Sequence, residues 1–284
     1  MSNTYYGITI CEWVILVVII SSCILYLIIQ TRAPNLENYI KNNSSVLRYY
    51  ILNNELILKK TGSLDISLPK AVGNGDLIFF CGDTPGERTC RWCTDTMFSH
   101  VGMLFKEINP ETGEEVIYVW ESDLGQKTKD GPRLIRLDDK LKKYHGQPYF
   151  MWRKLKSNNP STENIMKVVE KYKSYEFDNK MLSWWVSYPF LSFIHDIVKY
   201  EKKLFCSELI ALTMQSEHIN MLHTETDKKY PASSYSPKDF ADFDVKGMKK
   251  DFLYGPQHFV DFSAFKIISS LFFMSPCISN TCPS

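Results

Sequence analysis

Cys206 stands in "KKLFCSELIALTMQ", residues 202–215, where a polar run gives way to helical apolar spacing, with Phe205, Leu209 and Leu212 on one side. A sulfur at a helix start can do chemistry that one in mid-helix cannot. Free backbone N–H groups and the helix dipole favour the thiolate there, and the same N–H groups can hold an oxyanion. A thiol nucleophile also needs a base, and the base needs a partner that orients it. The chain has six histidines. His218 and His223 flank a loop after the helix, His145 lies in "KKYHGQP", His195 in an aromatic stretch and His258 near the end. His100 differs: it opens the predicted strand "HVGMLF", directly after Ser99, at an edge where a ring can face a cleft. Glu121 ends the next predicted strand, "YVWES". A hairpin through "NPETGEE" sets the start of one strand beside the end of the other, and 21 positions (121 − 100) leave room for two strands and a turn. Taken singly, each residue has a plainer reading: core filler, solvent-facing ring, surface charge. In the order His, Glu, Cys, each in its own local setting, they point to acyl chemistry.

The elements that must position them read as an α+β domain, a small antiparallel sheet with helices packed against it. "AVGNGDLIFFCGD" places a turn at Gly73–Gly75 before a buried strand, and "GDTPGERTCRWC" reads as a loop. "RLIRLDDKLKKY" and "PYFMWRKL" give further short elements. "STENIMKVVEKYKSY" is an amphipathic helix capped by Ser161 or Thr162, with Ile165, Val168, Val169 and Tyr172 on one face. "YPASSYSPKDFADF" is a loop into a short element, and "FSAFKIISSLFF" a last apolar segment, too short for a second membrane span.

"GDLIFF", "FSHVGML", "YVWES", "YEFD" and "LFCSELI" occur in that order over roughly residues 70–245. The set resembles the circularly permuted branch of the NlpC/p60-type papain-like cysteine hydrolases, more narrowly the YiiX group and its relatives in large DNA viruses. The resemblance implies a permuted papain-like fold with Cys206 as nucleophile, His100 as base and Glu121 as the residue orienting the imidazole. It implies that Asp76 in "GDLI" supports the turn into the first strand, and that Tyr175 and Asp178 in "YEFD" line the approach to the cysteine. The longish loop between the first two strands and the aromatic insert "LSWWVSYPFLSFIHDIV" depart from the pattern. Both bear on the substrate more than on the chemistry.

The 284-residue chain is 44% apolar and 23% charged with a formal net charge of +1, so no overall field argues for a nucleic-acid partner. One segment is not globular. "CEWVILVVIISSCILYLIIQ", residues 11–30, carries only Glu12 as a charge and can span about 25–30 Å as a helix. No basic n-region or small-residue cleavage site marks a signal peptide. The expected organisation is a tail over 1–12, a transmembrane anchor over 13–30, a juxtamembrane stalk or packed helix over 31–69, and the hydrolase domain over 70–284. Arg32, Lys41, Arg48, Lys59 and Lys60 follow the span and none precedes it, which predicts a single-pass protein with its bulk in the cytosol.

The eight cysteines form no dense disulfide framework, as suits a reducing compartment. "CRWC" has zinc or redox spacing at Cys90 and Cys93, with Cys81 as an extra ligand. No second CxxC follows and no HExxH occurs, so loop thiols are favoured and no metal or other cofactor is expected. Trp184 and Trp185, with Tyr188, Phe190 and Phe193, suit either a bilayer interface or the cover of a cleft, and count as candidate substrate-binding residues. The expectation is a membrane-anchored thiol hydrolase acting on a peptide, amide or acyl-lipid bond. The alternatives are an acyltransferase on lipid substrates, or an inactive membrane-tethered scaffold or virion protein of the same fold.

Overall fold

The computed structural model describes residues 10–32, 49–52, 55–58, 66–67, 71–109, 111–123, 130–144, 149–177, 203–223, 231–242 and 244–261. Its centre is a six-stranded, wholly antiparallel sheet built from β4 (Asp76–Phe80), β5 (His100–Ile108), β6 (Glu115–Asp123), β7 (Gly131–Arg136), β8 (Tyr149–Leu155) and β11 (Tyr254–Asp261), in the order β11-β8-β4-β5-β6-β7. The β5–β6 hairpin pairs Met103 with Trp120 and Ile108 with Glu115. The molecule is thus mixed α+β, with helices against an antiparallel sheet.

Alternation along the strands sorts the apolar side chains onto two faces. Leu77, Phe79, Val101, Met103, Phe105, Trp120 and Met151 share one cluster with helices α4 (Thr162–Tyr172) and α5 (Cys206–Gln215). Ile78, Phe80, Leu104, Val119, Phe150 and Trp152 form a second cluster with Leu137 and Leu141 of the short helix α3 (Leu137–Lys143). Each such fully buried side chain contributes about 1.5–3 kcal/mol. Gly102 lets the sheet close here: a Cβ at that position would lie 2.7 Å from a Val119 methyl.

Helix α4 begins at its Ser161 cap and buries Ile165, Val168, Val169 and Tyr172, the face its spacing predicts. Helix α5 begins at Cys206. The Trp120 indole donates to the Thr213 hydroxyl at 3.0 Å and the Ser122 hydroxyl donates to the Leu204 carbonyl at 2.6 Å, so polar contacts as well as packing fix this helix on the sheet. Two-residue strands β9 (Glu176–Phe177) and β10 (Lys203–Leu204) pair in parallel just before it. After it, a 3-10 turn (Ala232–Ser234) and α6 (Pro237–Ala241) return the chain, and the Ser207 hydroxyl donates to the Tyr235 carbonyl at 2.7 Å.

Four expectations change. "GDTPGERTCRWC" is not a loop: it holds helix α2 (Pro85–Thr94), started by a capping box between Thr84 and Glu87 with proline in the first turn. The described residues of the 31–69 stretch beyond α1 form strands that the sequence did not announce, β1 (Tyr49–Leu52), β2 (Glu55–Leu58) and β3 (Ile66–Ser67), a small separate sheet. Strand β11 went unpredicted because Gly255 and Pro256 interrupt its pattern. Last, the N-terminal apolar run does form a helix, α1 (Ile10–Arg32), yet among the described residues no helix is long and apolar enough to cross a membrane. The apolar segment "FSAFKIISSLFF" lies outside the described residues.

Arg153 is the largest polar side chain in the core and ties three elements together. Its guanidinium donates to the carbonyls of Phe240 and Asp242 around α6 and of Gly255 in β11. Arg153→Met leaves those acceptors without their donor, and chemical denaturation should show a loss of about 3 kcal/mol.

Candidate active site

His100 is the first residue of β5 and Glu121 lies near the end of β6, so the antiparallel register brings both to one end of the sheet. His100 Nε2 and Glu121 Oε2 are 2.8 Å apart. Glu121 is wholly buried and His100 is 8% exposed. The ring's other nitrogen, Nδ1, has no hydrogen-bond partner among the described residues, which leaves it to exchange protons with a reacting group.

Glu121 does not hold His100 alone. Arg133 of β7 donates to Glu121 Oε1 through Nε at 3.1 Å and Nη2 at 2.8 Å, and Nη2 also reaches Asp123 at 3.1 Å. Lys140 of α3 donates to Glu121 at 2.9 Å and to Asp123 at 2.7 Å. Its ammonium also lies 5.3 Å from the centre of the Phe80 ring, which in turn contacts the imidazole. Burial alone would favour the neutral acid. Lys140, His100 and Arg133 outweigh burial and hold the Glu121 carboxyl well below the ordinary carboxylate range. Lys140 is likewise buried, but Glu121 and Asp123 raise its proton affinity, so the ammonium persists.

Cys206 opens α5 on the opposite face of the sheet from the Phe80 cluster, at the same end as His100. Its cap position is Phe205, which makes no side-chain capping hydrogen bond. The first backbone N–H groups of α5 are therefore not taken by a cap and suit an oxyanion. Cys206 and His100 are both buried, each residue 8% exposed. The two are electrostatically coupled. Burial and Lys140 weaken the proton affinity of His100, while Asp123, the Cys206 thiolate and Glu121 strengthen it, and the balance is a pKa raised from 6.5 to about 10.

Cys90 of α2 belongs to the same corner. Its thiol points at the carbonyl of Ser99, 3.9 Å away and one residue before His100. Burial first, then the charge on Cys206, push the Cys90 thiol far above its ordinary range, so it stays protonated. Cys81 instead accepts from the Arg91 guanidinium at 3.0 Å.

Asp76 lies apart from this centre. Its carboxylate accepts from the Gly73 N–H at 2.9 Å, the Leu155 N–H at 2.8 Å and the Trp152 indole at 2.8 Å, joining the turn before β4 to β8. Burial raises its pKa to about 6 despite those donors. Tyr175 is half-buried, packs edge-on against Tyr172 and precedes β9, the strand paired with the Leu204 segment that leads into Cys206. Asp178, Trp184 and Trp185 lie outside the described residues.

Sequence reasoning missed Asp123, Arg133 and Lys140. Asp123 carried a signal, since it lies two residues beyond Glu121 in a strand and so on the same face. Arg133 and Lys140 had none, because only the β6–β7 pairing and the packing of α3 bring them in. His100, Glu121 and Asp123 also place possible ligand atoms within 4.8 Å of one another. A cation there would have to displace Lys140 and Arg133 from the same carboxylates.

No protein-family model matches the chain, and no curated protein does. Among solved structures it is similar to the metalloprotein yiiX from Escherichia coli O157:H7, at 15% identity and a TM-score of 0.38, over 66% of this chain and 98% of that one. This is a weak likeness.

The proton balance has a measurable consequence. A group that binds its proton more tightly when folded stabilises the fold fully below its unfolded pKa and ceases to do so as pH rises through the folded one. For His100 that window runs from 6.5 to about 10. Thermal unfolding between pH 7 and 10 should show a falling Tm in the unaltered chain and a flatter profile in His100→Gln.

Proposed function

We propose that the chain is a membrane-anchored thiol hydrolase of the permuted papain-like (NlpC-type) fold, cleaving an amide or ester bond. The observation that carries this reading is the buried 2.8 Å His100–Glu121 pair, set at the same end of the sheet as the helix that begins with Cys206 and coupled to its thiolate. In this scheme Cys206 attacks a carbonyl carbon while the α5 N–H groups stabilise the oxyanion. The leaving group takes its proton from His100 Nδ1 as the carbon–leaving-group bond breaks. Water then adds to the thioester carbonyl, His100 accepts its proton, and the carbon–sulfur bond breaks to return the thiolate. Glu121 holds the ring by Nε2 throughout and does not itself react.

Lipid is the proposed setting for the substrate. Large apolar side chains of α1, from Trp13 to Ile28, are 38–60% exposed around the helix, a surface that water penalises. A run of about 25 Å suits a thin bilayer, the remaining mismatch being absorbed by the flanking residues. An acyl-lipid or a lipid-modified peptide would meet a thiol held at that surface. An alcohol or amine resolving the thioester in place of water would make the protein an acyltransferase, and product analysis separates the two. A membrane-tethered scaffold that kept the fold would leave Cys206 inert.

p-Nitrophenyl acetate tests the chemistry. Mass spectrometry should find an acetyl adduct on Cys206, absent in Cys206→Ala and retained in Cys81→Ala. Equal adduct formation in both variants overturns the thiol-hydrolase reading. Flotation with phosphatidylcholine vesicles tests the anchor: the full chain should float and a chain beginning at residue 33 should not. Equal partitioning of the two removes the anchor from the proposal.

A further inference from the structure

Glu121 and Asp123 bring two negative charges to one buried corner, and Lys140 and Arg133 bring two positive ones. The corner is therefore neutral before His100 is counted. A further negative charge favours an imidazolium there, and Cys206 is a group whose charge does so. Around His100 stand Glu121 and Asp123 from β6, Arg133 from β7, Lys140 from α3 and Cys206 from α5. The Cys90 thiol of α2 lies beside the preceding residue, and Tyr144, just beyond α3, packs on Phe80.

We propose that Lys140 is a positioning residue that sets the charge on His100: by cancelling one carboxylate, it makes the imidazole hold its proton while Cys206 is a thiolate and release it once the sulfur is acylated. This rests on the thiol-hydrolase reading for its place in catalysis, though not for its electrostatics. Lys140 is suited to the task by geometry. Its side chain is 6% exposed, bonds both carboxylates, and is steadied by the Phe80 ring that also contacts the imidazole.

The two half-reactions make opposite demands on His100. In acylation the imidazolium gives its proton to the leaving group while the sulfur–carbon bond forms. In deacylation the thioester is uncharged, and His100 must be neutral to accept a proton from water. With both carboxylates paired to cations, loss of the thiolate charge removes one of the charges that hold the proton on the imidazole. Without Lys140 the corner keeps a surplus negative charge, and His100 stays protonated when it must act as a base.

Full chains carrying Lys140→Met and Lys140→Arg test this by two routes. The first is independent of activity: carbon-13 NMR of the His100 ring in a Cys206→Ala background. Adding Lys140→Met should move the titration midpoint up by about one unit or more, and Lys140→Arg should leave it near the parent value. An unmoved midpoint in Lys140→Met overturns the proposal. The second route is rapid-mixing kinetics with p-nitrophenyl acetate, whose leaving group needs no proton. Deacylation should fall about tenfold more than acylation in Lys140→Met at neutral pH, with recovery at higher pH and in Lys140→Arg. Equal loss in both phases with no change in pH profile marks a merely structural role and overturns it. A moved midpoint in a chain that forms no Cys206 adduct sinks the hydrolase reading while the charge-setting role stands. Should Lys140→Met fail to fold, Arg133→Gln removes the other cation and must shift the midpoint in the same direction.

Discussion

A carboxylate with no exposure to water is the constraint on which this molecule turns. An isolated buried charge costs several kcal/mol, so Glu121 can stay ionised only where cations and donors surround it. It has three such partners, each from a different element: His100 from β5, Arg133 from β7 and Lys140 from α3. The β5–β6–β7 register and the seat of α3 are thus bound into one electrostatic unit. To shift any one of these elements is to strand a charge.

The same unit gives the imidazole its character. Glu121 fixes Nε2 and leaves Nδ1 free for chemistry, while the balance of Asp123, Cys206 and Glu121 against burial and Lys140 decides how firmly the ring holds its proton. Cys206 enters from the other face of the sheet, carried by a helix whose position depends on Trp120, Ser122 and Ser207. Two cores, one on each side of the sheet, therefore converge at one end of it. A sheet end suits this purpose, because there side chains from opposite faces need not be separated by strand backbone. The neighbouring thiol of Cys90 shows how local the effect is. A second sulfur in the same corner, without a helix start of its own, is pushed toward the neutral form by burial and by Cys206.

Much of this was legible in the chain itself. The alternation in "HVGML" and "YVWES", the turn residues between them and the helical spacing after Cys206 sufficed to put His100, Glu121 and Cys206 at the ends of their elements. Helix α4 followed from its cap and its four apolar positions. These are local signals, set by backbone hydrogen bonding and by periods of two and 3.6 residues. Helix α2 was legible too, in the Thr84–Glu87 capping box, but proline, glycine and two cysteines made the stretch read as a loop. Strand β11 was hidden by its own glycine and proline, and it exists because β8 offers it an edge to pair with.

What the sequence by itself determined is the type and order of the reactive residues and the ends of the elements that carry them, because those depend on near neighbours in the chain. Only the tertiary structure decided which charges neutralise Glu121, that Asp123 shares them, that Cys90 joins the corner, and that the sulfur and the imidazole arrive from opposite faces. Those depend on strand order and on the seat of α3, long-range choices made by the burial of two apolar clusters together. No spacing along the chain encodes the meeting of Lys140 with Glu121. It follows from Leu137 and Leu141 filling the second core, which leaves the lysine between them facing the carboxylate.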